Sequence, residues 1–78
     1  MKMNLDEEIL KEFSRRFVLN FDELVSFLEQ KLDRKKAILI AKREIGNLKA
    51  NGLIKELDFI GKCYAITQKG IKAVNGKI

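Results

Sequence analysis

Side chains that could bind a negatively charged polymer are concentrated in the middle of this 78-residue chain. Lys35, Lys42 and Lys49 recur at a spacing of seven residues, which places them along one side of a helix. Arg43 and Asn47 add a guanidinium and an amide, two groups that form paired hydrogen bonds. These residue types at this spacing predict a surface that binds a polyanion.

The charge of the chain is distributed unevenly. Net charge is −3 over residues 1–30, +5 over residues 31–52 and +3 over residues 53–78, which together give the overall +5. Such asymmetry points to a polyanionic partner. Lysine-rich faces also occur because they keep a protein soluble, so the charge alone leaves both explanations open.

Composition excludes several kinds of chemistry. The chain contains no histidine, so histidine acid–base catalysis and histidine metal ligation are excluded. Cys63 is the single cysteine and can form neither an internal disulfide nor a cysteine metal cluster. Carboxylate pairs such as Asp6 and Glu7 are typical of a helix start. We therefore predict no enzyme, no cofactor, no metal and no small-molecule site.

The sequence also bears on where the protein is found. Its longest apolar run, residues 37–41, is far too short to span a membrane. The acidic residues Asp6, Glu7 and Glu8 come too early to allow the apolar segment of a signal peptide. We expect a cytoplasmic protein without a membrane segment, folded as one domain over residues 1–78.

Apolar residues at helical spacing predict three helices, over about residues 5–16, 21–31 and 33–51. The third ends at Gly52, where a residue with positive φ is easily accommodated. Its predicted core face contains Ala37, Ala41, Ile45 and Leu48, with Ile38 at the edge. The five phenylalanines are also expected in the core, and Phe17 continues the stripe of the first helix.

Polar residues mark where these helices begin. Asn4 with Glu7, and Asn20 with Glu23, have the spacing of a capping box, in which each residue bonds the backbone of the other. Asp33 is the expected N-cap of the third helix.

The last third of the chain predicts a β-hairpin and a short helix. Residues 53–59 and 62–66 are rich in strand formers and are separated by a short loop containing a glycine. Within the second strand, alternate residues are expected to cover the helices. Thr67 can cap a last helix over about residues 68–75, which Gly70 weakens.

Two separated motifs and the order of these elements resemble one known family. The third helix ends in Leu48 and then Gly52-Leu53-Ile54, and the second strand continues as Tyr64-Ala65-Ile66-Thr67-Gln68-Lys69-Gly70. This pattern resembles the winged-helix branch of the helix-turn-helix DNA-binding proteins. The resemblance implies an α+β fold: a winged helix-turn-helix with a three-helix core, a two-stranded β-wing and a short C-terminal helix.

The resemblance also implies a function, that of a small transcription regulator that binds double-stranded DNA. Helix 3, about residues 33–51, would enter the major groove, with Arg43 on guanine, Asn47 on adenine and Leu39 against thymine methyls. The lysines would contact phosphates, and cations at the start of helix 3 fit a phosphate docked at that positive helix end. The expected DNA-binding residues are Arg34, Lys35, Lys36, Leu39, Lys42, Arg43, Asn47, Lys49 and Lys62.

Other interpretations of the same sequence remain. A winged-helix protein-interaction module would instead bury Leu39 and Ile40 against a partner protein, and a third possibility is non-specific binding of nucleic acid, including RNA. A homodimer is expected because a core this small is marginal and helix-turn-helix proteins commonly read two half-sites. Helix 1 or the C-terminal helix would supply the dimer interface.

Overall fold

A computed structural model describes residues 5–57 and 62–76. Over these residues the chain is a small α+β domain. Its elements, in chain order, are α1 (Leu5–Arg16), β1 (Val18–Asn20), α2 (Phe21–Leu28), α3 (Arg34–Ala50), β2 (Ile54–Leu57), β3 (Cys63–Ile66) and α4 (Gln68–Asn75). No helix of the described part of the chain is long and apolar enough to cross a membrane.

The predicted helices are confirmed, with two differences, and so is the pairing of the two hairpin strands over Ile54–Leu57 and Cys63–Ile66, while the end of the first predicted strand and most of the predicted loop lie outside the described residues. α2 ends at Leu28 rather than near residue 31, because the Gln30 and Lys31 N–H groups bond to carbonyls three residues back and tighten the chain into a turn. This turn brings Asp33 into position to start α3. β1 was not predicted, because three residues are too few to carry a strand periodicity.

The three strands form one antiparallel sheet in the order β1-β3-β2. Leu19 of β1 is opposite Tyr64 of β3, and Ile54 of β2 is opposite Ile66. These four side chains are buried, which confirms that the Tyr64 and Ile66 side of the hairpin covers the helices. The sheet therefore has a single core face, and β1 and β2 are its two edges.

The core lies between the helices and this sheet face. The predicted face of α3 is buried, with Ala37 and Ala41 fully enclosed beside Phe13 of α1 and Leu24 of α2. Because one face of α3 is fixed in the core, its opposite face must point to solvent.

Caps fix the helix starts as predicted. Asn20 Oδ1 accepts the Glu23 N–H at 2.7 Å and Glu23 Oε1 accepts the Asn20 N–H at 2.9 Å. Asp33 Oδ1 likewise accepts a backbone N–H in the first turn of α3 at 2.9 Å. Thr67 caps α4 and also donates its hydroxyl to the Gly52 carbonyl at 2.6 Å. Asn4, of the other predicted capping box, lies outside the described residues.

Phe17 was predicted to be in the core, and this prediction is wrong, since 61% of the residue is exposed. α1 ends one residue earlier, and the Phe17 N–H donates to the Phe13 carbonyl while its backbone turns to φ 67°. A non-glycine residue in this left-handed conformation costs about 1 kcal/mol. Phe13 is buried, Phe21 and Phe27 pack against the core from partly exposed positions, and Phe59 lies outside the described residues.

The turn after α3 has the backbone that the sequence predicts. Gly52 has a φ of 73°, and its N–H bonds back to the Lys49 carbonyl. The Leu53 N–H then bonds to the Leu48 carbonyl, which brings the chain back onto the core at the start of β2.

Candidate nucleic-acid interface

The solvent-facing side of α3 carries most of the residues predicted to bind DNA. Each helical residue is rotated by about 100° from the last, so the exposed side divides into two rows. We call the first the hairpin row, because Lys49 pairs with Glu56 of β2 and Lys42 shares a cleft with Lys62, and the second the α1 row, because Asn47 lines a cavity with residues at the start of α1. The hairpin row contains Lys35, Leu39, Lys42 and Lys49. The α1 row contains Lys36, Arg43 and Asn47.

The hairpin row lies next to a lysine of the hairpin itself, Lys62. Lys42 and Lys62 line one cleft of about 180 Å³, whose other walls are Phe21, Ile45 and Tyr64. Burial, with the Glu56 carboxylate adding to it, raises the pKa of Tyr64, so the phenol keeps its proton. Two lysines from separate elements therefore line one concave surface, where both could contact a phosphate group.

Two of the predicted DNA-binding cations are held in exposed ion pairs. Arg34 Nη1 lies 3.1 Å from Glu29 Oε2, and Lys49 Nζ lies 2.9 Å from Glu56 Oε1 on β2. Such pairs contribute at most about 1 kcal/mol, so a phosphate competes with them easily. Lys35, Lys36, Lys42 and Lys62, by contrast, form no ion pair within the described part of the chain.

Arg43 and Asn47 are exposed together, one helical turn apart on the α1 row, as base readout requires. The Arg43 side chain is 65% exposed, and its Nε lies 3.5 Å from Glu44 Oε2. Asn47 lines a cavity that also includes Asp6 and Glu7 of α1. The α1 row therefore has carboxylates at its border, and the hairpin row with Lys62 is the more positive part of the surface.

Leu39 is the exposed apolar residue of this surface, with 69% of its area open to solvent. Ile40, which the sequence placed on or near the polar side, is partly buried and packs against the core of its own chain. The two residues expected at a protein-interaction face are therefore separated, and only Leu39 is available to a partner.

The start of α3 has the charge that the sequence predicted. Asp33 caps the helix, and the first turn contains Arg34, Lys35 and Lys36 with no acidic residue. Cations at this end oppose the helix dipole by about 0.3–1 kcal/mol each. Bound phosphate would reverse the sign of that effect.

Glu44 is a polar residue of this region that sequence reasoning missed. It is only 4% exposed, and its Oε1 is a buried oxygen without a hydrogen-bond partner. Burial first, and the nearby Asp6 carboxylate second, raise the pKa of Glu44 to about 7, while Arg43 opposes the shift. The helical spacing could have predicted its burial, because Glu44 lies three residues after Ala41 and four before Leu48 on the buried stripe of α3.

Replacing this carboxyl, Glu44→Gln, should remove a pH dependence of stability. Because the pKa is about 7 in the folded chain and 4.5 as the ordinary value, the folded state holds the proton more tightly. The stability that Glu44 contributes is present below pH 4.5 and is lost as pH rises through 7. We expect the wild type to lose about 1–2 kcal/mol relative to Glu44→Gln between pH 5.5 and pH 8, measured by urea unfolding.

The matched control is Glu56→Gln, which removes an exposed carboxylate on β2. This variant should keep the wild-type pH dependence. Parallel stability curves for the wild type and Glu44→Gln over the same range would show that the buried carboxyl has no such effect.

Comparison of the chain with family models, curated proteins and solved structures finds no match. Function must therefore be inferred from the surface of α3 and the hairpin.

Proposed function

We propose that this chain is a double-stranded DNA-binding protein of the winged-helix type, a small transcription regulator that inserts α3 into the major groove. The observation that carries the proposal is the set of exposed cations on α3 and the hairpin that form no ion pair within the described residues: Lys35, Lys36, Lys42 and Lys62. A 17-residue helix, roughly 25 Å long, presents Lys35, Lys36 and Lys42 on its solvent-facing side, and Lys62 of the hairpin lines one cleft with Lys42.

The two rows of α3 suit different parts of a duplex. Lys35 and Lys42, with Lys62 from the hairpin, are placed to contact phosphates along one strand. Arg43 and Asn47 have the donor and acceptor groups that pair with guanine and adenine edges. Leu39 lies on the side of the hairpin row nearest the α1 row, where a thymine methyl would cover its exposed surface. Arg34 and Lys49 join the phosphate contacts once their exposed ion pairs open.

The fold supports the winged-helix assignment without being specific to it. A third helix with one buried face is followed by an antiparallel hairpin, and β1 adds a third strand to it. Two copies on two half-sites would double the contact surface, and a homodimer is part of the proposal.

On α3, the exposure of Leu39 favours the alternative, a protein-interaction module. That alternative needs an apolar patch, whereas the residues around Leu39 are Lys35, Lys36, Lys42 and Arg43. We therefore favour a polyanion over an apolar protein surface as the partner of α3.

Selection of duplexes from a random pool, followed by fluorescence anisotropy, tests the proposal. We expect the selected duplex to bind at least about a thousandfold more tightly than random duplex at physiological salt. Equal affinities for selected duplex, random duplex and single-stranded RNA would mean non-specific nucleic-acid binding. Absence of duplex binding at low salt would reject the proposal.

A further inference from the structure

Two apolar residues lie exposed at the junction of α1 and β1. Phe17 and Val18 are 61% and 43% exposed. Phe17 also occupies a left-handed backbone position that favours glycine. Two backbone hydrogen bonds, to the Phe13 carbonyl and from the Ile66 N–H, hold the backbone of Phe17 in place, but they leave the two apolar side chains uncovered, which points to a contact outside the chain.

The backbone at this junction is also available for pairing. Phe17 accepts a hydrogen bond from the Ile66 N–H, and the Phe21 N–H donates to the Lys62 carbonyl. In an antiparallel strand, the backbone N–H and C=O groups of alternate residues point to the same neighbouring strand. The backbone groups of Leu19 therefore also point to β3, and those of Val18 and Asn20 point away from it. The Asn20 N–H is used by Glu23 in the capping box. Val18 therefore presents both of its backbone groups at the outer edge of the sheet.

The two edges of the sheet differ in how they are protected. β2 carries Lys55 and Glu56, two exposed charged residues of the kind that blocks pairing between molecules. β1 contains no charged residue and includes the exposed Val18. The β1 edge therefore lacks the usual protection against addition of a further strand.

We propose that two copies of this chain form a dimer by pairing their β1 strands antiparallel about a two-fold axis at Val18. The two Val18 residues exchange both backbone hydrogen bonds, and Phe17 of each copy lies opposite the backbone of Leu19 of the other, whose side chain stays buried in its own core. The contact is isologous, because the same surface serves both copies. This interface differs from the helix 1 or C-terminal helix interface expected from the sequence.

Charge favours a second copy over an unrelated partner. The end of α1 is basic at Arg15 and Arg16, and the start of α2 is acidic at Asp22 and Glu23. Within the chain Arg15 pairs with Glu12 at 2.7 Å and Arg16 with Glu23 at 2.9 Å, whereas Asp22 forms no ion pair among the described residues. Antiparallel pairing at Val18 brings the end of α1 of each copy beside the start of α2 of the other. Asp22 of each copy therefore faces the basic end of α1 of the other, twice across the axis.

Sedimentation equilibrium of the full chain without DNA tests this interface separately from the proposed function. The wild type should show a concentration-dependent mass rising to twice 9.0 kDa. Val18→Lys should raise the dimer dissociation constant at least tenfold, and so should Phe17→Gly, which also relieves the left-handed backbone and should raise the melting temperature of the monomer. Circular dichroism establishes that each variant is folded.

Two controls complete the experiment. Val18→Thr keeps a β-branched residue at the edge and should dimerise within about threefold of the wild type. Leu39→Ala removes an equally exposed apolar residue on α3 and should leave dimerisation unchanged. A wild type that stays monomeric up to millimolar concentration overturns the proposal, and so does a dimer whose dissociation constant is unaffected by Val18→Lys and Phe17→Gly.

Discussion

Reversing two charges on α3, Lys36→Glu with Lys42→Glu, should weaken binding to duplex DNA at least about a hundredfold. One change falls on each row, and neither lysine forms an ion pair within the described residues. A carboxylate placed against a phosphate costs several kcal/mol, and each 1.4 kcal/mol is about tenfold in affinity. Fluorescence anisotropy on one duplex at fixed salt measures the loss.

The same double variant should not be less stable than the wild type. Lys36 lies in the first turn of α3, where an acidic residue interacts favourably with the helix dipole, by about 0.3–1 kcal/mol. The N–H of residue 36 already donates to Asp33, so a glutamate there can also complete a capping box. DNA affinity and stability are therefore expected to move in opposite directions, which a variant that merely unfolds cannot reproduce.

A matched control makes the same change in charge at a distance from α3 and the hairpin. Lys11→Glu with Lys72→Glu reverses two exposed lysines on α1 and α4. This pair should lower DNA affinity by less than about tenfold, since only long-range attraction is lost. Equal losses for the two pairs would show that overall charge, and not the surface of α3, determines binding.

The largest expected effect on stability comes from a single methyl group, in Gly70→Ala. Gly70 is buried in α4, and a Cβ there would overlap the Leu53 carbonyl oxygen and lie 2.7 Å from Ile66 Cγ1. The obstacle is backbone on one side and a core side chain on the other, so α4 must move. We expect a loss of about 2–3 kcal/mol in urea unfolding, a large part of the stability of a domain of this size.

Gly46→Ala is the matched control, the same substitution in another helix. Gly46 lies on the exposed side of α3, and an added Cβ would meet nothing within 4 Å. Without a packing cost, the better helix propensity of alanine should raise stability by about 0.5–1 kcal/mol. If both substitutions raise stability, then helix propensity rather than close packing determines the effect of substitution at Gly70.

Sequence patterns predicted those parts of the fold that depend on neighbouring residues. The capping box of Asn20 and Glu23, the Asp33 cap and the positive φ of Gly52 each involve residues within one helical turn. Helical spacing likewise placed the core face of α3 correctly. It follows that the outward face of α3, and most of the candidate site, was predictable from the sequence.

The parts that were missed depend on contacts between residues far apart in the chain. β1 exists because β3 pairs with it, although some 45 residues separate Val18 from Ala65. Gly70 was interpreted as a weak point of a short helix, whereas its lack of a side chain lets α4 approach Leu53. Phe17 continued an apolar stripe by spacing, but the helix ended before it. The spacing of residues close together in the sequence does not show which distant segments pair or pack, or where a helix ends.

The central claim, that α3 and the hairpin bind the phosphates of duplex DNA, is tested most directly by affinity measured as a function of salt. Each phosphate contact releases counterions, so the slope of log K against log salt is about −0.9 per contact. Counting Lys36 with the five cations assigned to phosphates above gives six contacts, so the account predicts a slope of about −5, reduced in magnitude by about 2 in Lys36→Glu with Lys42→Glu. A slope near zero, or no detectable duplex binding at low salt, would contradict it.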